Sequence, residues 1–355
     1  MKSFYNNKKV LITGHTGFKG SWLSQILINF GSDVVGVSLE PNTTPSLFEE
    51  LGIKNKCKNY FVDIRNENVL KKIFEDERPE IVFHLAAQAI VRTSYNEPVN
   101  TISTNVMGTA HVLEAVRNSE SVKSVVIITT DKVYENKEWH HAYRENDALG
   151  GYDPYSSSKA AADIITNSYI QSFFNIQDFE KKHTTLVAIA RAGNVIGGGD
   201  WAEFRLIPDI VKAVYHEGKD VEIRNPDSVR PWQHVLEPLS GYLLLAQGLY
   251  EKKKVLSGSW NFGPNNESFV SVQNLVEGGK EILGKGGYKI LKDTSKHEAT
   301  LLKLDINKAI AVLGWKPKLT FQETLTITFD WYKNYYDKRE EIVEFTNKQI
   351  NIFFK

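Results

Sequence analysis

The sequence holds one cysteine, Cys57, in 355 residues. No intrachain disulfide can form, so the fold must rest on its core. Neither sign of charge is in excess: Lys and Arg total 43, Asp and Glu total 43, and the formal net charge is +0. That balance removes the electrostatic footing for nucleic acid or an anionic membrane as partner. It leaves room for a local basic patch facing a small phosphorylated ligand. Long hydrophobic runs are absent as well. The most apolar stretch, YLLLAQGLY at 242–250, is too short to cross a bilayer. The opening MKSFYNNKK lacks the apolar segment of a secretory signal, and a cytoplasmic protein is expected. No internal repeat or low-complexity tract interrupts the chain.

What is present suits a folded globule: 41% hydrophobic and 24% charged residues, long enough for one large domain or two intimate ones. The first half alternates short β-branched runs with helical patterns. Strands are expected at Lys9–Thr13, Asp33–Val37, Tyr60–Val62, Ile81–Leu85, Lys123–Thr130 and Thr185–Ala190. Helices are expected at Ser21–Phe30, Asn66–Glu77 and Thr101–Arg117, with another starting near Tyr155. This order implies an α/β protein with a Rossmann-type doubly wound parallel sheet. After Gly193 the pattern shortens and fills with Gly, Pro and Trp. The expected division is a nucleotide-binding domain over 1–190 and a smaller α+β substrate domain over 191–355, with some chain crossing back to the sheet. The segment beyond Phe321 reads as helical and carries no legible chemistry.

Residues 13–20 read TGHTGFKG. Gly14, Gly17 and Gly20 follow the first strand and open its helix. Such glycines allow a tight turn and a close approach of backbone to a pyrophosphate, which the helix start then binds. An acidic residue about 20 positions on holds a ribose hydroxyl in NAD sites, whereas an arginine accommodates the phosphate of NADP. Glu40 occupies that place, and no arginine occurs between Gly20 and Cys57. NAD is therefore the expected dinucleotide. Asp63 and Ile64, after the third strand, are candidates for the adenine, although Asp63 could instead cap the next helix. Lys19 is a candidate for the NAD phosphates. His15 is expected on the solvated face of the loop.

Residues 155–159 read YSSSK, placing Tyr155 and Lys159 on one helix face. With Thr130 at the preceding strand end they form a proton-transfer set beside a nicotinamide. Lysine and the nicotinamide charge are expected to lower the phenol pKa. Asp131 and Lys132 follow directly. Adjacent opposite charges there could mark a surface strand end, or a catalytic acid with its partner.

TGHTGFKG, HLAAQ (84–88), TTDKVY, YSSSK and RAGNVIGGGDW (191–201) together resemble the extended short-chain dehydrogenase/reductase family, from about residue 8 to about residue 320. Within it the chain is similar to the nucleotide-sugar 4,6-dehydratases, the CDP-glucose branch above all, through TTDKVYENKEW, GGGDWAEFRLIPD and RPWQHVLEPLSGYL. The resemblance implies oxidation of the sugar at C4, loss of the C5 proton and C6 hydroxyl, and return of hydride to C6. It implies Tyr155 as the base at C4, Lys159 as its positioner and Thr130 as a partner of the C4 oxygen. Asp131 is implied as the acid at C6, protonated when it acts and held so by burial. Lys132 stands where dTDP-sugar relatives carry a glutamate. A base role at C5 is implied for it, with a cationic brace for the enolate as the other possibility.

Further residues follow from the same resemblance. For NAD it implies Gly14, Thr16, Gly17, Phe18, Lys19, Gly20, Glu40, Asp63, Ile64, Leu85, Ala86, Ala87 and Thr104, besides Tyr155 and Lys159. For the sugar nucleotide it implies Gln88, Arg92, Ser94, Asn194, Asp200, Trp201, Arg205, Leu206, Arg230 and Gln233. Tyr95 is a further hexose candidate, and Trp201 and Trp232 could line the nucleotide pocket or be core. In relatives a charged residue precedes the arginine of the WAE-x-RLIPD motif; here it is Phe204. CDP-glucose is the expected substrate and a homodimer or homotetramer the expected assembly, through Thr101–Arg117 and Ser156–Ser172. Competing readings are dehydration of UDP-N-acetylglucosamine or dTDP-glucose, 4-epimerisation, and an NAD-sensing binder without activity.

Overall fold

A computed structural model describes residues 1–217, 220–223, 225–291 and 301–355. Seven strands form one parallel sheet: β1 (Lys9–Thr13), β2 (Asp33–Ser38), β3 (Lys58–Phe61), β4 (Ile81–His84), β5 (Ser124–Ile128), β6 (Leu186–Ala192) and β7 (Gly258–Phe262). Their spatial order is β7-β6-β5-β4-β1-β2-β3. The order reverses between β1 and β4, and a doubly wound sheet opens its ligand crevice at such a switch point. β7 comes from the second half of the chain and pairs with β6, Trp260 opposite Ala190.

The strands are apolar at nearly every position because both faces are covered. Val10, Ile12, Phe83, Val126 and Ala188 point to one side. There they meet α1 (Phe18–Asn29), through Trp22, Leu23, Ile26 and Leu27. Leu11, Val35, Val82, Val125 and Ile189 point to the other. They meet α2 (Glu67–Glu77) and α3 (Gly108–Arg117) through Leu70, Ile73, Phe74, Val112 and Val116. α4 (Pro154–Ser172) packs beside α3, and α5 (Leu206–Lys212) opens the irregular second half. The apolar run 242–250 lies in α6 (Leu236–Tyr250), buried against the sheet. α7 (Val272–Leu283) packs on α8 (Phe321–Asp337), and α9 (Ile342–Phe353) reaches back to α1. No described helix is long and apolar enough to cross a membrane.

The expected elements differ from the structure mainly at their ends. The first helix starts at Phe18, not Ser21, because Gly20 is itself helical. The third strand is Lys58–Phe61, and the strand expected to end at Ala190 runs on to Ala192, so Arg191 is a sheet residue. The expected helix over 101–117 is Pro98–Ile102 followed by a widened turn at 103–107 and then α3. Asn105 sits in that turn. It accepts from the Gln88 N–H at 2.8 Å and donates to the Gln88 carbonyl at 3.0 Å and to Ser158 at 2.8 Å. A widened helical turn often marks a functional site, and this one ties the end of β4 to α4.

Candidate active site

The carboxyl ends of β1, β4, β5 and β6 face one region. On its nucleotide side β1 ends at Thr13 and the chain turns at Gly14, φ +77°. A Cβ at Gly14 would lie 2.6 Å from the Ala86 nitrogen, and one at Gly20 would lie 2.0 Å from the Gly14 carbonyl oxygen. Only glycine fits either place. α1 opens after Gly17 with no side chain capping its N–H groups, which leaves them and the helix dipole for an anion. Thr16 fixes the loop by donating to the Leu39 carbonyl at 2.9 Å. Leu85 and Ala86 close the other wall by bonding to Thr13. Glu40 is exposed just past β2. Thr104 lies in the widened turn. A dinucleotide fits this cradle.

His15 in the loop differs from expectation, and Asp63 and Ile64 after β3 take defined places. His15 is fully buried, not solvated: its Nε2 meets Asn59 at 3.0 Å and its ring packs on Phe61 and Phe48. Burial pulls its pKa down to about 4. The residue fits because Gly36 on β2 leaves the room a Cβ would take. Asp63 caps no helix; Asn66 does that, accepting from Val69. Asp63 is instead paired with Arg65, whose hydrogen bonds hold it below the usual carboxylate range. Ile64 is core, packed where Gly108 gives it space.

On the reacting side lies a cavity of about 730 Å³, lined by Lys19, Arg92, Tyr95, Thr130, Asp131, Lys132, Tyr155, Asn194, Asp200, Phe204, Arg205, Leu206, Arg230 and Trp232, among others. Its size suits a small-molecule substrate. β5 stops at Ile128, and its carbonyl accepts from Lys159 Nζ at 2.8 Å. Pro154 starts α4, and the Asp153 side chain caps it by accepting from the Ser156 N–H at 3.0 Å. Tyr155 thereby faces the strand end. Burial pushes the Tyr155 phenol up to about 12, while a hydrogen bond with Thr130 and the charge of Arg205 pull the other way. The expected acidified phenol is not produced by the protein groups alone. Burial pulls Lys159 down to about 8. Lys19, whose side chain reaches this cavity, is also pulled to about 8, by burial and then by Arg205.

Asp131 is 3% exposed and accepts from the Thr130 hydroxyl at 2.9 Å. Burial raises its pKa, although Lys132, Lys19 and Arg230 oppose the shift. The side chain therefore has the character of a stored acid. Lys132 is exposed on the cavity wall.

The remaining substrate candidates divide. Arg205 binds Asp200 at 2.9 Å and turns toward Tyr155. Arg230 sits on the strand Val229–Pro231, and Trp232 lines the wall with its indole N–H bonded to the Val270 carbonyl at 3.0 Å. Phe204 adopts φ +64° and lies 5.5 Å from the Arg92 guanidinium, ring centroid to Cζ. Four candidates are not brought to the cavity wall. Gln233 is buried and donates to the Phe262 carbonyl at 3.1 Å. Ser94 is buried against the Val91 carbonyl. Gln88 spends its amide on Thr101 and Ile90. Trp201 packs among Trp331, Tyr332 and Tyr335. Conversely, Tyr134, Glu135, Asn136, Gly151, Glu222 and Asn225 line the cavity and went unmarked. The polar ENKEW stretch following Asp131 held the signal for Glu135 and Asn136.

The family model described as GDP-mannose 4,6 dehydratase matches residues 11–328. The chain belongs to that family. Its motifs place it with the nucleotide-sugar dehydratases of the extended short-chain dehydrogenase/reductase type. The CDP-glucose 4,6-dehydratase of Salmonella typhimurium is 48% identical over 333 residues, covering 94% of this chain and 92% of that protein. The dTDP-glucose 4,6-dehydratase of Haemophilus influenzae is 28% identical, covering 91% and 97%. Among solved structures, the dTDP-glucose 4,6-dehydratase of Streptomyces venezuelae with NAD and TYD bound gives a TM-score of 0.78 at 22% identity, covering 95% and 99%. These agree with the doubly wound fold found here.

The buried acid gives a stability test. The folded state raises the Asp131 pKa, so its ionised form costs stability at any pH above that value, and the cost vanishes once both states are protonated. Asp131→Asn is expected to raise the melting temperature by about 2 °C at pH 8. The gain should shrink as pH falls toward 4 in the same calorimetric series. A gain that grows on acidification would contradict the assignment.

Proposed function

We propose that this chain is a CDP-glucose 4,6-dehydratase, converting CDP-glucose to CDP-4-dehydro-6-deoxyglucose and water with NAD. The observation that carries the reaction class is the buried Asp131 beside Thr130 in the cavity of Tyr155. A 4-epimerase needs no acid at C6; a dehydratase does. The substrate is proposed from the 48% identity to the Salmonella enzyme. The sugar nucleotide is expected to lie mainly against residues 191–355, with Arg230 and Asn194 toward its pyrophosphate. A cytoplasmic location goes with this substrate.

The loop at 14–20 and the start of α1 would hold NAD, which would supply the hydride exchange between C4 and C6 and a positive charge near the phenol of Tyr155. The chain supplies the proton chemistry. Tyr155 accepts the C4 hydroxyl proton, Thr130 holds that oxygen, and Lys159 orients the tyrosine from the end of β5. The C4 ketone acidifies C5. Lys132 takes the C5 proton, and Asp131 gives its own to the departing C6 hydroxyl, so water leaves; as hydride returns to C6, Lys132 gives the proton back to C5. The raised pKa of Asp131 favours the protonated form that this step needs.

The test offers purified protein CDP-glucose, dTDP-glucose, UDP-glucose and UDP-N-acetylglucosamine and assays for a 4-keto-6-deoxy product. CDP-glucose is expected to turn over fastest; no product from any sugar would overturn the dehydratase reading. Asp131→Asn should slow elimination by about 10²–10⁴-fold. Lys132→Glu should retain elimination, whereas its loss would make the lysine a brace.

A homo-oligomer is proposed as the assembly. Val99, Ile102, Met107 and Ile164 are apolar and exposed along α4 and the helices that precede it, a patch suited to a second copy. Light scattering should give at least twice the chain mass of 40.3 kDa; a monomer would contradict this.

A further inference from the structure

The proposed chemistry leaves one buried ion pair without a task. Asp163 lies one turn beyond Lys159 on α4, and Arg191 lies on β6, the neighbour of β5. Their side chains are 1% and 3% exposed. The guanidinium meets the carboxylate as a two-pronged fork, Nε to Oδ2 at 2.8 Å and Nη2 to Oδ1 at 2.7 Å. Thr129 donates to the same carboxylate at 3.2 Å. The other N–H groups of Arg191 reach the Tyr134 hydroxyl at 2.8 Å, the Glu145 carbonyl at 2.9 Å and Ser259 at 3.0 Å. Tyr134 passes its own proton to Asn261 at 2.7 Å. The pair thus touches the helix of Tyr155 and Lys159, the residue before Thr130, and the segment just after Lys132.

A buried ion pair is seldom kept for stability, since desolvation cancels most of its attraction and apolar residues would pack as well. This one places a carboxylate where Lys159 needs it. Burial drives the Lys159 amine toward its neutral form, and Asp163 is the group that opposes it. The other ionisable groups facing that amine do not help. Lys19 on α1 is cationic, and His84 on β4 is a buried imidazole bonded to Thr13 and Thr109; both feel the Lys159 charge. Tyr155, on the same helix, gains nothing until it ionises.

We infer that Asp163 is a positioning residue that keeps Lys159 charged under the site, and that Arg191 holds Asp163 in the place where it does so. This rests on the reading of Tyr155 and Lys159 as the C4 proton-transfer pair. The consequence has a sign. Without the Asp163 carboxylate, Lys159 loses its proton at lower pH. Without Arg191 the carboxylate loses the fork that fixes it, and Lys159 loses that support in part.

The test follows the alkaline limb of the pH dependence of kcat/KM for CDP-glucose in the intact enzyme at saturating NAD. NAD affinity is measured by calorimetry over the same range. Asp163→Asn should move both alkaline limbs down by about one pH unit, a tenfold loss at a pH on the limb. Arg191→Gln should move them down by less, and Asp163→Glu should keep the original profile. Each single change strands a buried partner, so the double variant Asp163→Asn/Arg191→Gln, which keeps amide hydrogen bonding, guards against misfolding. Folded by circular dichroism, it should show the downward shift of Asp163→Asn, because the carboxylate is already gone. Equal losses at every pH with unmoved limbs, or an unmoved limb in the folded double variant, would overturn the inference. A wild-type protein inactive on every sugar would instead sink the reading of Tyr155 and Lys159.

Discussion

The site depends on where β5 ends. Its last residue, Ile128, leaves a carbonyl with no further strand to pair it, and Lys159 takes that carbonyl at 2.8 Å from the facing helix. One bond thus joins the sheet edge that carries Thr130, Asp131 and Lys132 to the helix that carries Tyr155. Had β5 run three residues longer, Thr130 and Asp131 would be ladder residues with side chains committed to the faces of the sheet. Because it stops, both open into the cavity while staying nearly dry. Dryness then decides their protonation. It raises the acid of Asp131 and the phenol of Tyr155, and it lowers the amines of Lys159 and Lys19. Every one of these shifts moves a group toward its neutral form, as burial requires.

That common direction explains the crowd of cations. Lys19, Lys132, Arg205 and Arg230 all reach one cavity, yet the chain as a whole is neutral. A dianionic pyrophosphate needs such a collection, and so does an enolate formed beside it. Arg205 and Lys159 add to burial in lowering the pKa of Lys19. The binding and reacting groups are therefore one electrostatic unit, and a change at either end alters the other.

The strand and helix order was legible because parallel strands buried on two faces become continuous apolar runs, and their covering helices keep a 3.6-residue stripe. The clustering of the candidate residues was legible for a similar reason: the spacing of Tyr155 and Lys159 and the strand end at Thr130 are local features, and topology brings local features to one edge. What failed depended on contacts between distant segments. His15 looked like a loop residue, but Gly36, 21 positions away, opens the space that buries it. Gln233 sits beside Trp232 in sequence, yet the two point oppositely, one to the cavity and one to the Phe262 carbonyl. Trp201 belongs to an aromatic cluster completed by α8, more than a hundred residues on. Asp163 and Arg191 were silent for the same reason: a buried fork between a helix and a strand leaves no periodicity to read.

The central claim is that one cavity removes hydride from C4 and delivers it to C6 of the same sugar, with Tyr155, Lys132 and Asp131 handling the protons. The most direct measurement is turnover of CDP-glucose deuterated at C4, followed by mass spectrometry and NMR of the product. The account requires the deuterium to appear at C6 in the 4-keto-6-deoxy sugar. Deuterium released to solvent, or retained at C4 of an inverted sugar, would contradict it.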